Sequence, residues 1–84
     1  MDIRRQVGLN LQKLRREREW SQEDLAFESG LHRTYISGIE RGTRNPTVTI
    51  LAKLAGALGV APAVLLDPVR KPKRAANPRQ GRSA

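Results

Sequence analysis

Between residues 22 and 41 two short apolar-patterned segments meet at one glycine, and that arrangement constrains the chain more than any other feature. Leu25, Leu31, Ile36 and Ile39 supply the apolar anchors, Ala26 is small, and Gly30 stands where the pattern breaks. Two short helices crossing near a right angle need these residue types. A small side chain lets the backbones approach, the turn takes a residue tolerant of positive φ, and the anchors line the inner faces.

The flanking sequence extends the pattern. Ile3, Val7, Leu11 and Leu14 recur at helical spacing and predict a first helix over 2–18, with Arg, Lys, Glu and Gln on its other faces. Ser21 is placed to cap the second helix, and Trp20 and Leu25 stand where a hydrophobic staple would close. Asp24 is shorter than Glu or Gln, so only half of a capping box is expected. The third helix is expected over 32–41, ended by Gly42. Asn45-Pro46-Thr47 reads as a turn and an N-cap, followed by a fourth helix with Ile50, Leu51, Leu54, Ala55 and Leu58 on its apolar face. Gly59 and Val60 match a Schellman ending. Pro62 suits the first turn of a short fifth helix carrying Val64, Leu65 and Leu66, although Ala61 caps poorly.

Eighty-four residues hold one core and leave no room for a separate sensing domain, so a domain over 1–66 and a tail over 67–84 are expected. Sixteen Lys and Arg against eight Asp and Glu give a net charge of +8, which makes a polyanion the first partner to test. The excess is uneven. Residues 1–66 carry +3 and residues 67–84 carry +5, so the domain's own charge argues for nucleic acid only weakly, and acidic membranes also attract basic chains. Pro68, Pro72 and Pro78 punctuate a tail whose one sizeable apolar residue is Val69, a composition that predicts disorder and non-specific phosphate contacts.

Other classes fit less well. The chain has no cysteine and one histidine, so neither a disulfide framework nor a metal site is expected. No apolar run approaches the ~20 residues that span a bilayer, and the N-terminus lacks a signal-peptide apolar segment, so a cytoplasmic, nucleoid-associated protein with no membrane partner is expected. No nucleophile-base arrangement or phosphate-binding glycine loop stands out, so neither an enzyme nor a cofactor is expected. Trp20, Phe27 and Tyr35 are the only aromatics, too few for a base-stacking platform once Trp20 serves the staple.

The segments Ser21-Gln22-Glu23-Asp24-Leu25-Ala26, Gly30-Leu31 and Ile36-Ser37-Gly38-Ile39-Glu40-Arg41-Gly42 together resemble the Cro and phage-repressor helix-turn-helix family, to which the xenobiotic-response-element regulators belong. Residues 32–37 are similar to the recognition helices of restriction-modification controllers. The resemblance implies an all-α, five-helix, lambda-repressor-like domain whose third helix enters the major groove of double-stranded DNA. On that helix Arg33, Thr34 and Ser37 share a face opposite Ile36 and Ile39 and are the candidate base contacts. Candidate phosphate contacts are Gln22, His32, Tyr35, Arg41, Arg44 and Asn45. Each has a plainer alternative: a first-turn glutamine for Gln22, a helix cap for His32, a half-buried ring for Tyr35 and solvated loop groups for the others. Gly38 stands where the family often has a larger polar residue, so one base contact is forfeited; close approach to the DNA backbone would account for it, as would tolerated drift at that position. The resemblance also pairs Arg15 with Glu40 beneath the third helix.

One such helix spans only a few base pairs, so two copies about one turn apart (~34 Å) on a palindromic operator are expected. Leu58, Val60, Val64, Leu65 and Leu66 offer more apolar surface than a small core consumes and are the candidate dimer interface. Occlusion of, or contact with, RNA polymerase would follow. The competing expectation is a protein-interaction module of antitoxin or bridging-factor type, in which the fold holds a partner and DNA is secondary.

Overall fold

Every α-helix among the described residues begins at a side chain that caps it. In the computed structural model, which describes residues 2–69, the elements are α1 (Ile3–Glu17), α2 (Gln22–Ser29), α3 (Arg33–Arg41), α4 (Val48–Leu58) and a 3-10 turn (Pro62–Leu66). Asp2 Oδ1 accepts from the Arg4 amide at 2.8 Å, and Thr47 Oγ1 accepts from the Ile50 amide at 3.1 Å. Ser21 Oγ accepts from the Asp24 amide at 2.9 Å while Asp24 Oδ2 accepts from the Ser21 amide at 2.8 Å. The capping box is therefore complete, because the extended backbone of Ser21 brings its N–H within reach of the shorter carboxylate. The third helix starts at Arg33, one residue later than expected, since His32 is its cap: His32 Nδ1 accepts from the Thr34 amide at 3.1 Å.

The ends are equally local. Gly30 takes φ 76° at the turn between α2 and α3. Helix α4 closes with the expected Schellman pair, Val60 N–H to Ala55 O at 3.0 Å and Gly59 N–H to Gly56 O at 3.3 Å. Helix α1 closes with the same bond pattern but without glycine. There Trp20 N–H reaches Arg15 O at 3.1 Å, and Glu19 holds φ 58°, a left-handed conformation unfavourable for a residue with a Cβ.

The core gathers Val7, Leu11 and Leu14 of α1, Leu25 of α2, Ile36 and Ile39 of α3, Leu51, Leu54, Ala55 and Leu58 of α4, and Leu65, with Trp20 and Leu31 packed at its edge. Ile3, the first residue of the α1 stripe, stays half exposed. The fifth helix is not an α-helix. Its segment is five residues long, no side chain caps it, and its bonds are tightened, Val64 N–H to Ala61 O at 3.0 Å and Asp67 N–H to Val64 O at 3.3 Å. Side chains of α1 take its carbonyls: Asn10 Nδ2 donates to Leu65 O at 2.9 Å and to Asp67 O at 2.8 Å, and Gln6 Nε2 donates to Leu66 O at 2.7 Å. Those bonds let Leu65 enter the core without another helical turn. Of the tail expected over 67–84, all but residues 67–69 lies outside the described residues. Among the described residues no helix is long and apolar enough to cross a membrane.

Helix α1 crosses α3 at Gly8, a contact that no local pattern announces. A Cβ on Gly8 would lie 2.4 Å from Ile39 O and 2.7 Å from Glu40 O, backbone atoms that cannot swing aside. Gly8→Ala gains ~1 kcal/mol of helix propensity but must part the two helices, so a net loss of about 1–3 kcal/mol is expected in urea unfolding. Gly56→Ala, where a Cβ meets nothing within 4 Å, is the control and should gain up to ~1 kcal/mol. Equal shifts in both variants would contradict the close crossing.

Candidate nucleic-acid interface

Helix α3 presents one face inward and one outward, and a buried ion pair sets its pose. Ile36 and Ile39 are fully buried. Beside them Arg15 Nε donates to Glu40 Oε2 at 2.7 Å and Arg15 Nη2 donates to Glu40 Oε1 at 3.0 Å, the two-pronged geometry favoured for guanidinium and carboxylate. The remaining capacity is used as well: Arg15 Nη1 donates to Trp20 O at 2.6 Å, and Gln22 Nε2 donates to Glu40 Oε1 at 3.1 Å. Hydrogen bonding to Glu40 raises the Arg15 pKa against the opposing effect of burial, so Arg15 stays charged. One network thus ties α1, the linker at Trp20, the start of α2 and the end of α3. Arg5 Nη1 adds a longer bond to Glu40 O, 3.4 Å, close to the C-terminal end of α3.

On the outward side Arg33 and Thr34 are exposed and Ser37 is half-buried. Arg33 Nε lies 4.0 Å from Glu23 Oε2, and both side chains are open to water, so the pairing is weak and leaves Arg33 free to turn. Ser37 Oγ accepts a hydrogen bond from Arg41 Nη1, which joins a candidate base contact to a candidate phosphate contact. With Nδ1 of neutral His32 occupied by the cap, its proton sits on Nε2 and remains available to donate. Gln22, at the N-terminus of α2, braces Glu40 in addition to any phosphate it meets.

Tyr35 is half-buried, and the Arg44 guanidinium lies over its ring at 5.6 Å from the centroid. Gly38 is buried beneath the Arg44 side chain. The space above Gly38 is filled from within the chain, by the stem of Arg44. Asn45 is exposed in the loop that leads to α4. Arg33, Thr34, Ser37, Arg41 and Arg44 therefore sit on or beside one helix, with His32 and Gln22 at the two helix starts next to it.

The expected dimer patch is smaller than its five residues suggested. Leu58 is 3% exposed and Leu65 fully buried, because the single core uses both; Val60 and Val64 are half-buried and Leu66 is exposed. Leu9, Val64 and Val69 also line a shallow groove of about 340 Å³ between α1 and the 3-10 turn. Two apolar side chains that the sequence pattern did not single out stand free: Phe27 on α2, 84% exposed, and Val48 on α4, 82% exposed.

Removing one partner of the buried pair leaves the other charged and unmatched. Glu40→Ala is expected to lose about 3–5 kcal/mol in urea unfolding, whereas Arg15→Met with Glu40→Leu should regain most of it. A loss below ~1 kcal/mol for the single variant would mean that water reaches the site.

A helix-turn-helix family model matches residues 11–65. Control protein C.BamHI of Bacillus amyloliquefaciens is 51% identical over 67 residues, which cover 79% of this chain and 83% of that protein. Among solved structures, a hypothetical transcription factor from Neisseria is 43% identical with a TM-score of 0.77, over 80% of this chain and 77% of its own. The restriction-modification controller C.Esp1396I, solved as a tetramer in complex with its natural 35 base-pair operator, is 42% identical with a TM-score of 0.71, over 77% of this chain and 86% of that one.

Proposed function

This chain belongs to the helix-turn-helix family of transcriptional regulators, and on that premise we propose that it binds a specific palindromic operator as a homodimer with α3 in the major groove. The observation that carries the proposal is the outward set Arg33, Thr34 and Ser37 on a helix whose underside is locked by Ile36, Ile39 and the Arg15–Glu40 pair. A helix that cannot roll holds its donors in register with base edges, and the locked underside removes that freedom. Arg33, at the helix start and weakly held by Glu23, has the reach and the paired donors for a guanine O6 and N7. Thr34 and Ser37 supply a methyl and hydroxyls for neighbouring bases. His32, Gln22, Tyr35, Arg41, Arg44 and Asn45 flank this set as phosphate ligands.

Dimerisation rests on Val60, Val64 and Leu66 around the 3-10 turn, with the groove that Val64 lines beside them. The operator complex of C.Esp1396I contains four copies of that protein, and pairs of this chain on adjacent half-sites are the corresponding expectation. Regulation then follows from covering a promoter or from touching RNA polymerase there. The exposed Phe27, flanked by Glu23 and Glu28 on α2, favours a second reading in which a protein partner is held and DNA is secondary.

Selection of duplexes from a random pool should enrich a palindrome with half-sites about one turn apart. Arg33→Ala should then relax preference at one base position in each half-site by about 1–3 kcal/mol. An unselective pool, or an Arg33→Ala variant with unaltered preference, would leave the partner-holding reading in possession. If each subunit neutralises about four phosphates, log affinity should fall with log salt at a slope near −7. A slope near zero in a salt titration would contradict phosphate-driven binding.

A further inference from the structure

Arg44 follows α3 in sequence, yet its side chain turns back over that helix. Its guanidinium carbon stands 5.6 Å from the Tyr35 ring centre. Its stem crosses Gly38 so closely that a Cβ there would meet Arg44 Cγ at 2.6 Å and Nε at 3.2 Å. The approach of the chain is fixed as well: the Gly38 carbonyl accepts from the Thr43 amide at 3.0 Å and from Thr43 Oγ1 at 3.1 Å. Tyr35 and Gly38 are three residues apart and occupy one flank of α3, next to the stripe that carries Thr34, Ser37 and Arg41.

We propose that Gly38 is a positioning residue, whose missing side chain opens a notch in α3 through which Arg44 reaches the Tyr35 ring and stands ready at the edge of the DNA-facing surface. Glycine inside a helix is unfavourable, and the notch is what that sacrifice achieves. A long arginine that becomes ordered only on binding loses its rotamer freedom at that moment, whereas one already held on a ring face has little left to lose. The inference rests on α3 being the DNA-reading helix and adds to it a device for holding one cation in advance. It assigns Tyr35 a role through its ring face, separate from any bond its hydroxyl makes to phosphate.

The test is a double-variant cycle read by fluorescence anisotropy, on a duplex enriched from a random pool by the unaltered chain. Gly38→Ala should unfold at or above the parent temperature, since helix propensity rises, yet bind about three- to tenfold more weakly per half-site. In an Arg44→Ala background the same substitution should change affinity no further. Tyr35→Phe, which keeps the ring face, should preserve the arrangement. Without DNA, ring-current displacement of the Arg44 side-chain proton resonances should be present in the parent and in Tyr35→Phe and lost in Gly38→Ala. Unchanged affinity in Gly38→Ala, an equal loss with and without Arg44, or unchanged Arg44 resonances would each overturn the proposal. Arg33→Ala separates the two layers. If it weakens binding while Gly38→Ala does not, the notch is wrong and the DNA-reading helix stands; if neither matters, or if no duplex is enriched, both fall.

Discussion

Three donors converge on the carboxylate of Glu40, two from Arg15 and one from Gln22, inside a domain with few other charges in its interior. Ionised groups leave water at a high cost, which is offset only when nearly every donor and acceptor finds a partner. Here the third arm of Arg15 closes on the Trp20 carbonyl, so the guanidinium is engaged on each side. The directional demands of those bonds exceed those of hydrophobic packing. Leucines and isoleucines tolerate small rolls of one helix on another, but a bidentate pair does not, and the roll of α3 decides which side chains face outward. The orientation of Arg33, Thr34 and Ser37 depends on an interaction that none of them makes.

The close crossing of α1 and α3 serves the same end. With no side chain at Gly8, the α1 backbone meets the Ile39 and Glu40 carbonyls directly, which places Arg15 two turns further along α1 at bonding distance from Glu40. Gly38 applies the same economy on another flank, where the volume left free is taken up by Arg44. Both glycines act through what approaches them, and neither adopts the left-handed backbone seen at Gly30.

Much of this was legible in the residues. The α2–α3 frame could be read because each requirement of a tight two-helix crossing maps to a residue type at a fixed spacing, and the helix ends could be read because caps are local. The Arg15–Glu40 pairing came with the family resemblance, and the structure supplies its geometry. Less legible were features that depend on distance across the fold. Nothing in the local pattern around Gly8 points to a close approach, and only the packed structure identifies Ile39 and Glu40 as its neighbours. The occupant of the space at Gly38 was equally out of reach, because Arg44 lies six residues further along and no local pattern folds it back over the helix. Apolar pattern alone does not report how much surface one core consumes, so it cannot separate Leu58 and Leu65, which the core buries, from Val60, Val64 and Leu66. The fifth helix became a 3-10 turn because Asn10 and Gln6 captured the carbonyls that a longer helix would have used.

The bonds from Asn10 and Gln6 to the 3-10 turn join neutral amides to backbone carbonyls, and the buried Arg15–Glu40 pair lies where mobile ions scarcely penetrate. The outward cations Arg33, Arg41 and Arg44 are open to the electrolyte. Ionic strength therefore acts on two separate populations of charge: the outward cations are screened, while the bonds that assemble the scaffold are not. Weakening the charged face and loosening the fold are separate events in this molecule.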